Sequence, residues 1–142
     1  MKNRIIPTDL ELLDFIYNYY YETYSEWNKG NKDRQSKIYV PIDCKLIADH
    51  FNIDGDVIFG RLYYHLEKKY CYRQDDGAKV HFFAFKVGND SKCIHFPYLA
   101  SILAELRQEH KKFRLTVFLS TLAIVLSTFS IGVTVYKEII MP

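Results

Sequence analysis

The residues best equipped for chemistry are Cys71, His81, Cys93 and His95, since thiolate and imidazole are common zinc ligands. They fall on neighbouring strand-like segments, and strand alternation puts Cys93 and His95 on one face. Their spacings match no usual zinc module, so they read as ordinary sheet residues. The remaining histidines, His50, His65 and His110, are scattered, and none of the five pairs with another four residues on beside a glutamate, as a metalloprotease helix requires. No serine or cysteine lies in a nucleophile-elbow context, and Gly55 and Gly60 lack a phosphate-loop pattern. Three cysteines, with no CxxC pair, read as reduced cytosolic thiols. The expectation is a chain with no catalytic residue, no metal and no cofactor.

What remains is recognition. A helix expected from Asp54 would bury Ile58, Leu62 and Leu66 and turn Arg61, Tyr64, His65 and Lys68 outward, a candidate face for a protein partner or for DNA. The run Tyr17, Tyr19, Tyr20, Tyr21 and Tyr24 divides between core packing and a partner face, because exposed tyrosines make effective interface residues. Charge argues against DNA. Residues 1–37 carry six basic and six acidic side chains and residues 38–96 eight of each, so the folded part has no basic footprint.

The elements that must hold these residues follow from local signals. Thr8 and Glu11 form a capping box for a helix from about Asp9 to Trp27, whose stripe is Leu13, Ile16, Tyr20, Tyr24 and Trp27. Asn28 to Lys37 is a polar loop. Ile38 to Pro41 is a brief edge strand ended by proline. Asp43 caps a second helix carrying Leu46, Ile47, Ala48 and Phe51, and Asn52 stops it. After the third helix, Tyr70 to Gln74 and Val80 to Val87 read as strands about the turn Asp75-Asp76-Gly77. A turn at Gly88-Asn89-Asp90 then leads into Lys92 to Phe96, giving an antiparallel sheet of about three strands. Asn89-Asp90-Ser91 is a glycosylation sequon, meaningless if the loop is cytoplasmic.

Helix, short strand, helix, turn, helix, hairpin is the order of a winged helix-turn-helix domain. The stretch from Val40 through Leu46-Ile47-Ala48, then Leu62 to Lys68 and the Tyr70 strand, resembles the core of that family over roughly residues 8–87. The resemblance implies an α+β fold in which the third helix reads the major groove and the wing touches backbone. Asp54 and Asp56 would stand at the leading end of that helix, and Asp75 and Asp76 at the wing tip, where carboxylates repel phosphate.

Beyond the domain the composition changes. Leu115 to Tyr136 is 22 residues without a charge. As a helix it would run roughly 33 Å, enough for a hydrocarbon core of about 30 Å. Arg107, Lys111, Lys112 and Arg114 precede it and only Lys137 follows, which by the positive-inside bias puts the N-terminal side in the cytoplasm and the C-terminus outside a plasma or inner membrane. The expected organisation is a domain over 1–96, an amphipathic stalk over 97–114 with Leu99, Ile102, Leu103, Leu106 and Phe113 on its stripe, a span over 115–136 and a tail over 137–142. Stalk and span would form one nearly continuous helix, a tail anchor. The stalk would pack on the domain or a sister stalk, with the membrane surface as the alternative place.

Within the span, Thr116, Ser120, Ala123, Ser127, Ser130 and Thr134 recur at steps of four and three, one left-handed seam through which two or more copies could associate. Thr128 and Gly132 offer a competing small-residue face, and the competing use of the hydroxyls is bonding to their own helix's carbonyls. The functional expectation is a membrane-anchored, non-enzymatic module that recruits or senses a cytoplasmic protein, with lipid and its own copies as further partners. A membrane-tethered transcription regulator and an oligomerising membrane effector are the alternatives.

Overall fold

The computed structural model describes residues 5–30 and 32–140; the lead-in 1–4, residue 31 of the polar loop and the tail's end, 141–142, lie outside the described residues. The chain divides into two compact units, Met1–Ala104 and Glu105–Pro142. The first is an α+β domain.

Helix α1 (Asp9–Glu26) starts as its capping box requires: the Thr8 N–H donates to Glu11 Oε2 at 2.8 Å, and the Glu11 N–H to Thr8 Oγ1 at 3.2 Å. The Thr8 N–H and, at 2.9 Å, the Thr8 hydroxyl both donate to Glu11 Oε2 and hold that carboxyl below its usual pKa. Leu12, Leu13, Ile16 and Tyr20 are buried. A 3₁₀ turn, Trp27–Lys29, follows, closed by Gly30 at φ +93°. The loop beyond holds a residue with a tertiary role, the buried Arg34. Its five N–H groups go to Ser36 O, Thr23 O, Asp33 Oδ1, Tyr24 O and Lys37 O at 2.9–3.3 Å, and its guanidinium lies 5.1 Å from the Trp27 ring centre. Arg34 thereby ties off the C-terminal carbonyls of α1, the groups a helix leaves unpaired.

Strand β1 (Tyr39–Pro41) leads to helix α2 (Cys44–Phe51), capped by Asp43 Oδ1, which accepts from the Lys45 and Leu46 N–H, and stopped by Asn52 at φ +55°. The Asp43 N–H donates to the buried Tyr20 hydroxyl at 2.8 Å, fixing α2 to α1.

Helix α3 (Gly55–Gly60), a π-helical segment (Arg61–Leu66) and helix α4 (Glu67–Tyr70) follow one another without a break. Ile58, Leu62 and Leu66 are all fully buried. On a regular α-helix each four-residue step overshoots a full turn by about 40°, so a strict four-residue stripe would wander off the core. The wider π turns undershoot and bring it back. The same widening keeps the next residue, Glu67, buried as well.

The sheet differs from expectation. Instead of one strand over Val80 to Val87 there are two, β3 (Lys79–Val80) and β4 (Phe83–Val87), broken at His81 and Phe82. The reason is Glu67, whose Oε2 accepts from the N–H of Phe82 and of Phe83, at 2.8 and 2.9 Å, where a neighbouring strand would otherwise dock. Strand β2 (Tyr72–Arg73) pairs only with β3, so Asp75-Asp76-Gly77 tips a separate small ribbon. The three-stranded sheet has the order β1-β5-β4, all antiparallel, and β4 turns into β5 (Asp90–His95) through Gly88-Asn89. Asp75 and Asp76 are therefore not at the tip of the sheet's hairpin.

Helix α5 runs over Phe96–Ile140, 45 residues, continuous as expected. Its start is capped by a side chain: His95 Nδ1 accepts the Tyr98 N–H at 3.2 Å. Phe96, Leu99, Ile102 and Leu103 are buried, so the first turns of the expected stalk are part of the domain core. Tyr17 and Tyr24 stack on Phe96, with ring centres 5.4 and 4.6 Å apart. Leu115 to Tyr136 is exposed throughout, and α5 is long and apolar enough to cross a membrane.

Candidate functional site

Of the four residues expected on the outer face of the third helix, one is turned to another use. Arg61 donates to Pro7 O and to Asp9 Oδ1, the latter at 2.6 Å, with its side chain only 19% exposed. Lys69 Nζ stands 3.7 Å from the other oxygen of Asp9. Arg61 thus pins the helical run to the start of α1, and as a free cation for phosphate or a partner it is lost. Tyr64 (70% exposed), His65 and Lys68 do face outward.

Tyr64 and Lys68 border a groove of about 570 Å³ between the helical run 55–70 and strand β4, with Tyr63, Lys79, Phe85 and Lys86 on its other walls. The aromatic wall is continuous. Tyr63 stacks on Phe59 at 5.4 Å between ring centres, Phe85 meets both at 6.2 Å, and Lys92 Nζ lies 5.7 Å over Phe59. Phe85, at 55%, is the most exposed Phe of the domain's sheet.

Charge in the groove is one-sided. Lys68, Lys79 and Lys86 contribute three cations, and Glu67 is the sole carboxylate of the lining. Both Glu67 oxygens are engaged: Oε2 by the two strand N–H groups, Oε1 by His81 Nδ1 at 2.6 Å, with Lys79 Nζ at 3.9 Å. The carboxylate's acceptor sites are thus used within the domain, and Lys68 and Lys86 add positive charge at the rim.

The other candidates separate. Among the described residues no three His, Cys, Asp or Glu side chains converge to hold a metal ion. Cys93 is buried, and burial pushes its thiol up to about 11, far from a thiolate at neutral pH. Burial also lowers the His95 pKa below its ordinary 6.5. In the tyrosine run, Tyr20 and the rings on Phe96 serve packing, whereas Tyr19 and Tyr21 remain exposed. In α5, Arg107, Lys111, Lys112 and Arg114 are exposed just before the uncharged stretch. On the seam, Thr116, Ser127, Ser130 and Thr134 donate their hydroxyls to carbonyls of their own helix at 2.8–3.0 Å. Ser120 and Ala123 complete the row, and a Cβ on Gly132 would meet nothing within 4 Å.

Sequence reasoning missed Tyr63, Glu67, Phe85 and Lys86. Only the alternation of Phe83 and Phe85 within β4 carried a signal, since it puts both on the face that meets the helix. No protein-family model, no curated protein and no solved structure matches the chain.

Proposed function

We propose that the chain is a membrane-anchored, non-enzymatic interaction module, a winged-helix-like domain on the cytoplasmic side of a plasma or inner membrane that recruits or senses a protein partner. The observation that carries this reading is the groove: aromatic walls and three lysines gathered on a domain whose overall charge is balanced. Aromatic side chains desolvate at little entropic cost, and charges at the rim steer an oppositely charged partner.

Helix, strand, two helical segments and hairpin, with the strand after α1 closing the hairpin's sheet, support the winged-helix part of the reading. The DNA-reading alternative is weakened where its helix would lead, because Asp54 caps that helix with Asp56 beside it and Arg61 is engaged by Asp9. The cytoplasmic side rests on the four basic residues before the span. Self-association rests on the seam; with the hydroxyls of Thr116, Ser127, Ser130 and Thr134 occupied at home, close packing of small side chains carries the contact.

The discriminating experiment uses the full chain in nanodiscs. Random duplex DNA should bind no more tightly than about 10⁻⁴ M at physiological salt, the weak end of non-specific affinity. A photo-crosslinking residue in place of Tyr64 should give a discrete protein adduct in living cells. Micromolar duplex binding with a steep salt slope, and no protein adduct, would hand the function to the transcription reading.

A further inference from the structure

Exposed rings on a folded domain are ordinarily scattered one by one, and a contiguous group of them marks a place of contact. Phe59, Tyr63, Tyr64 and Phe85 form such a group, with ring centres 5.1–6.4 Å apart. Tyr63, Tyr64 and Phe85 are all exposed. They stand on both walls of the groove, the tyrosines on the helical run and Phe85 on β4, beside the buried Phe83 and Ala84. Their mostly edge-to-face contacts hold the rings in place, so a guest side chain meets a surface already formed.

The charges of the lining are divided between the same two walls. Lys68 comes from the helical run and Lys86 from β4, and among the described residues neither has a carboxylate within ion-pair distance. Lys79, with its Nζ 3.9 Å from Glu67 Oε1, offsets the single carboxylate of the lining. Three lysines against one glutamate leave two positive charges unbalanced, one on each wall. The excess stops there: the helical run opens on Asp54 and Asp56, and the β2–β3 ribbon is tipped by Asp75 and Asp76. A nucleic-acid strand needs a basic track for successive phosphates, whereas a short segment with a few carboxylates needs only the two lysines.

We propose that the groove seats a short acidic segment of the partner protein by one aromatic side chain, which lies against Tyr63, Tyr64 and Phe85 while carboxylates on either side of it meet Lys68 and Lys86. This names the partner chemistry of the interaction module above and rests on that reading. The guest ring supplies the affinity by desolvation, and its flanking carboxylates select the partner and orient it.

The probe is a fluorescent peptide with phenylalanine at its centre and glutamates on both sides, titrated into the full chain in phosphatidylcholine nanodiscs. The comparators are the same peptide with lysine for glutamate, the same peptide with alanine for phenylalanine, and a short oligothymidylate. Either change to the peptide should weaken binding at least about tenfold. The paired variant K68E/K86E should reverse the preference between the glutamate and lysine peptides. In Y64A/F85A the phenylalanine and alanine peptides should bind within about twofold of each other, because the contact that distinguishes them is gone. Both of those side chains are exposed, and an unchanged denaturant midpoint verifies that the domain is intact.

Equal affinity for the glutamate and lysine peptides, equal affinity for the phenylalanine and alanine peptides, or tighter binding of oligothymidylate would overturn the proposal. So would an unchanged preference in K68E/K86E, or an undiminished difference between the phenylalanine and alanine peptides in Y64A/F85A. If the glutamate peptide fails while the photo-crosslinker at Tyr64 still captures a protein in cells, the acidic aromatic guest falls and the interaction module stands. If both fail, both fall.

Discussion

Polar side chains are handled in opposite ways in the domain and in the uncharged part of α5. In the domain the decisive ones reach across the chain: Arg34 gathers carbonyls from α1 and its own loop, Glu67 meets the strand entry fifteen and sixteen residues on, and Arg61 crosses to Asp9. In the membrane-length stretch the hydroxyls of Thr116, Thr121, Ser127, Thr128, Ser130 and Thr134 return to a carbonyl three or four residues back. The domain's polar groups therefore define tertiary structure, while those of the helix leave it unchanged. Substitutions should hit hard in the first region and lightly in the second.

The steepest loss is expected at Glu67→Leu, which strands two buried N–H groups. At about 1–3 kcal/mol for each unsatisfied group, the domain should lose roughly 3–4 kcal/mol, read from the denaturant midpoint of the full chain in detergent micelles through Trp27, the only tryptophan. Glu67→Gln, whose amide oxygen can still accept from the strand, should lose clearly less. If the two variants lose the same, the carboxylate's bonds are not what orders the strand entry.

Arg34→Met comes next, at about 3 kcal/mol, since it frees helix-end carbonyls and removes the cation from Trp27. Its fluorescence should shift with the same midpoint. Arg34→Lys, with three donors for five acceptors, should fall between the wild type and Met.

A smaller, pH-dependent effect is expected at the start of α5. The His95 Nδ1 must be unprotonated to accept the Tyr98 N–H, and burial lowers its pKa in the folded state. The unfolded chain then binds the proton more readily, so the cap's contribution is complete above about pH 6.5 and declines as pH falls through and below that value. His95→Asn caps without titrating; comparing the two midpoints from pH 8 to pH 5 isolates the contribution, which should vanish in the variant. Parallel curves would assign the acid sensitivity to other groups.

The smallest effect belongs to the helix. Ser127→Ala or Ser130→Ala should change its stability by no more than about 0.5 kcal/mol, because each removes only a local bond. Replacing Ser120, Ser127 and Ser130 together by leucine is a different matter: bulk on the seam should abolish crosslinking between copies in membranes, while alanine at Leu119, Leu126 and Phe129 should leave it intact. Equal crosslinking in both would leave α5 as a plain anchor.

The same contrast explains what could be read in advance. Caps and stops such as Thr8 with Glu11, Asp43 and Asn52 are legible because donor and acceptor lie within four residues of each other, and the uncharged stretch is legible because length and composition suffice. Arg34 sits in a polar loop and looks like any solvated arginine until α1 is placed beside it. Glu67 looks like an outward helix residue because regular 3.6-residue counting turns it away from the core. The single strand over Val80 to Val87 failed for the same reason, as the interruption is written at Glu67 and not within the strand. Of the groove, Tyr64 and Lys68 followed from helix periodicity; Phe85 and Lys86 required knowing which edge of the sheet stays open.

The π-helical segment Arg61–Leu66 amounts to a helix with a residue to spare. Such a segment is a natural place for the chain to lose or gain one position without breaking the run. Deleting His65 would let the turns tighten to the ordinary pitch and bring Leu66 and Glu67 forward by one place. The stripe would keep its phase, because four ordinary steps end at about the same angle as five wide ones, and the carboxylate would still face the entry to β4. In that sense the segment acts as an expansion joint, a spare count of length taken up in the width of the turn, so that the angular position of Glu67, and through it the place where the sheet begins, is kept.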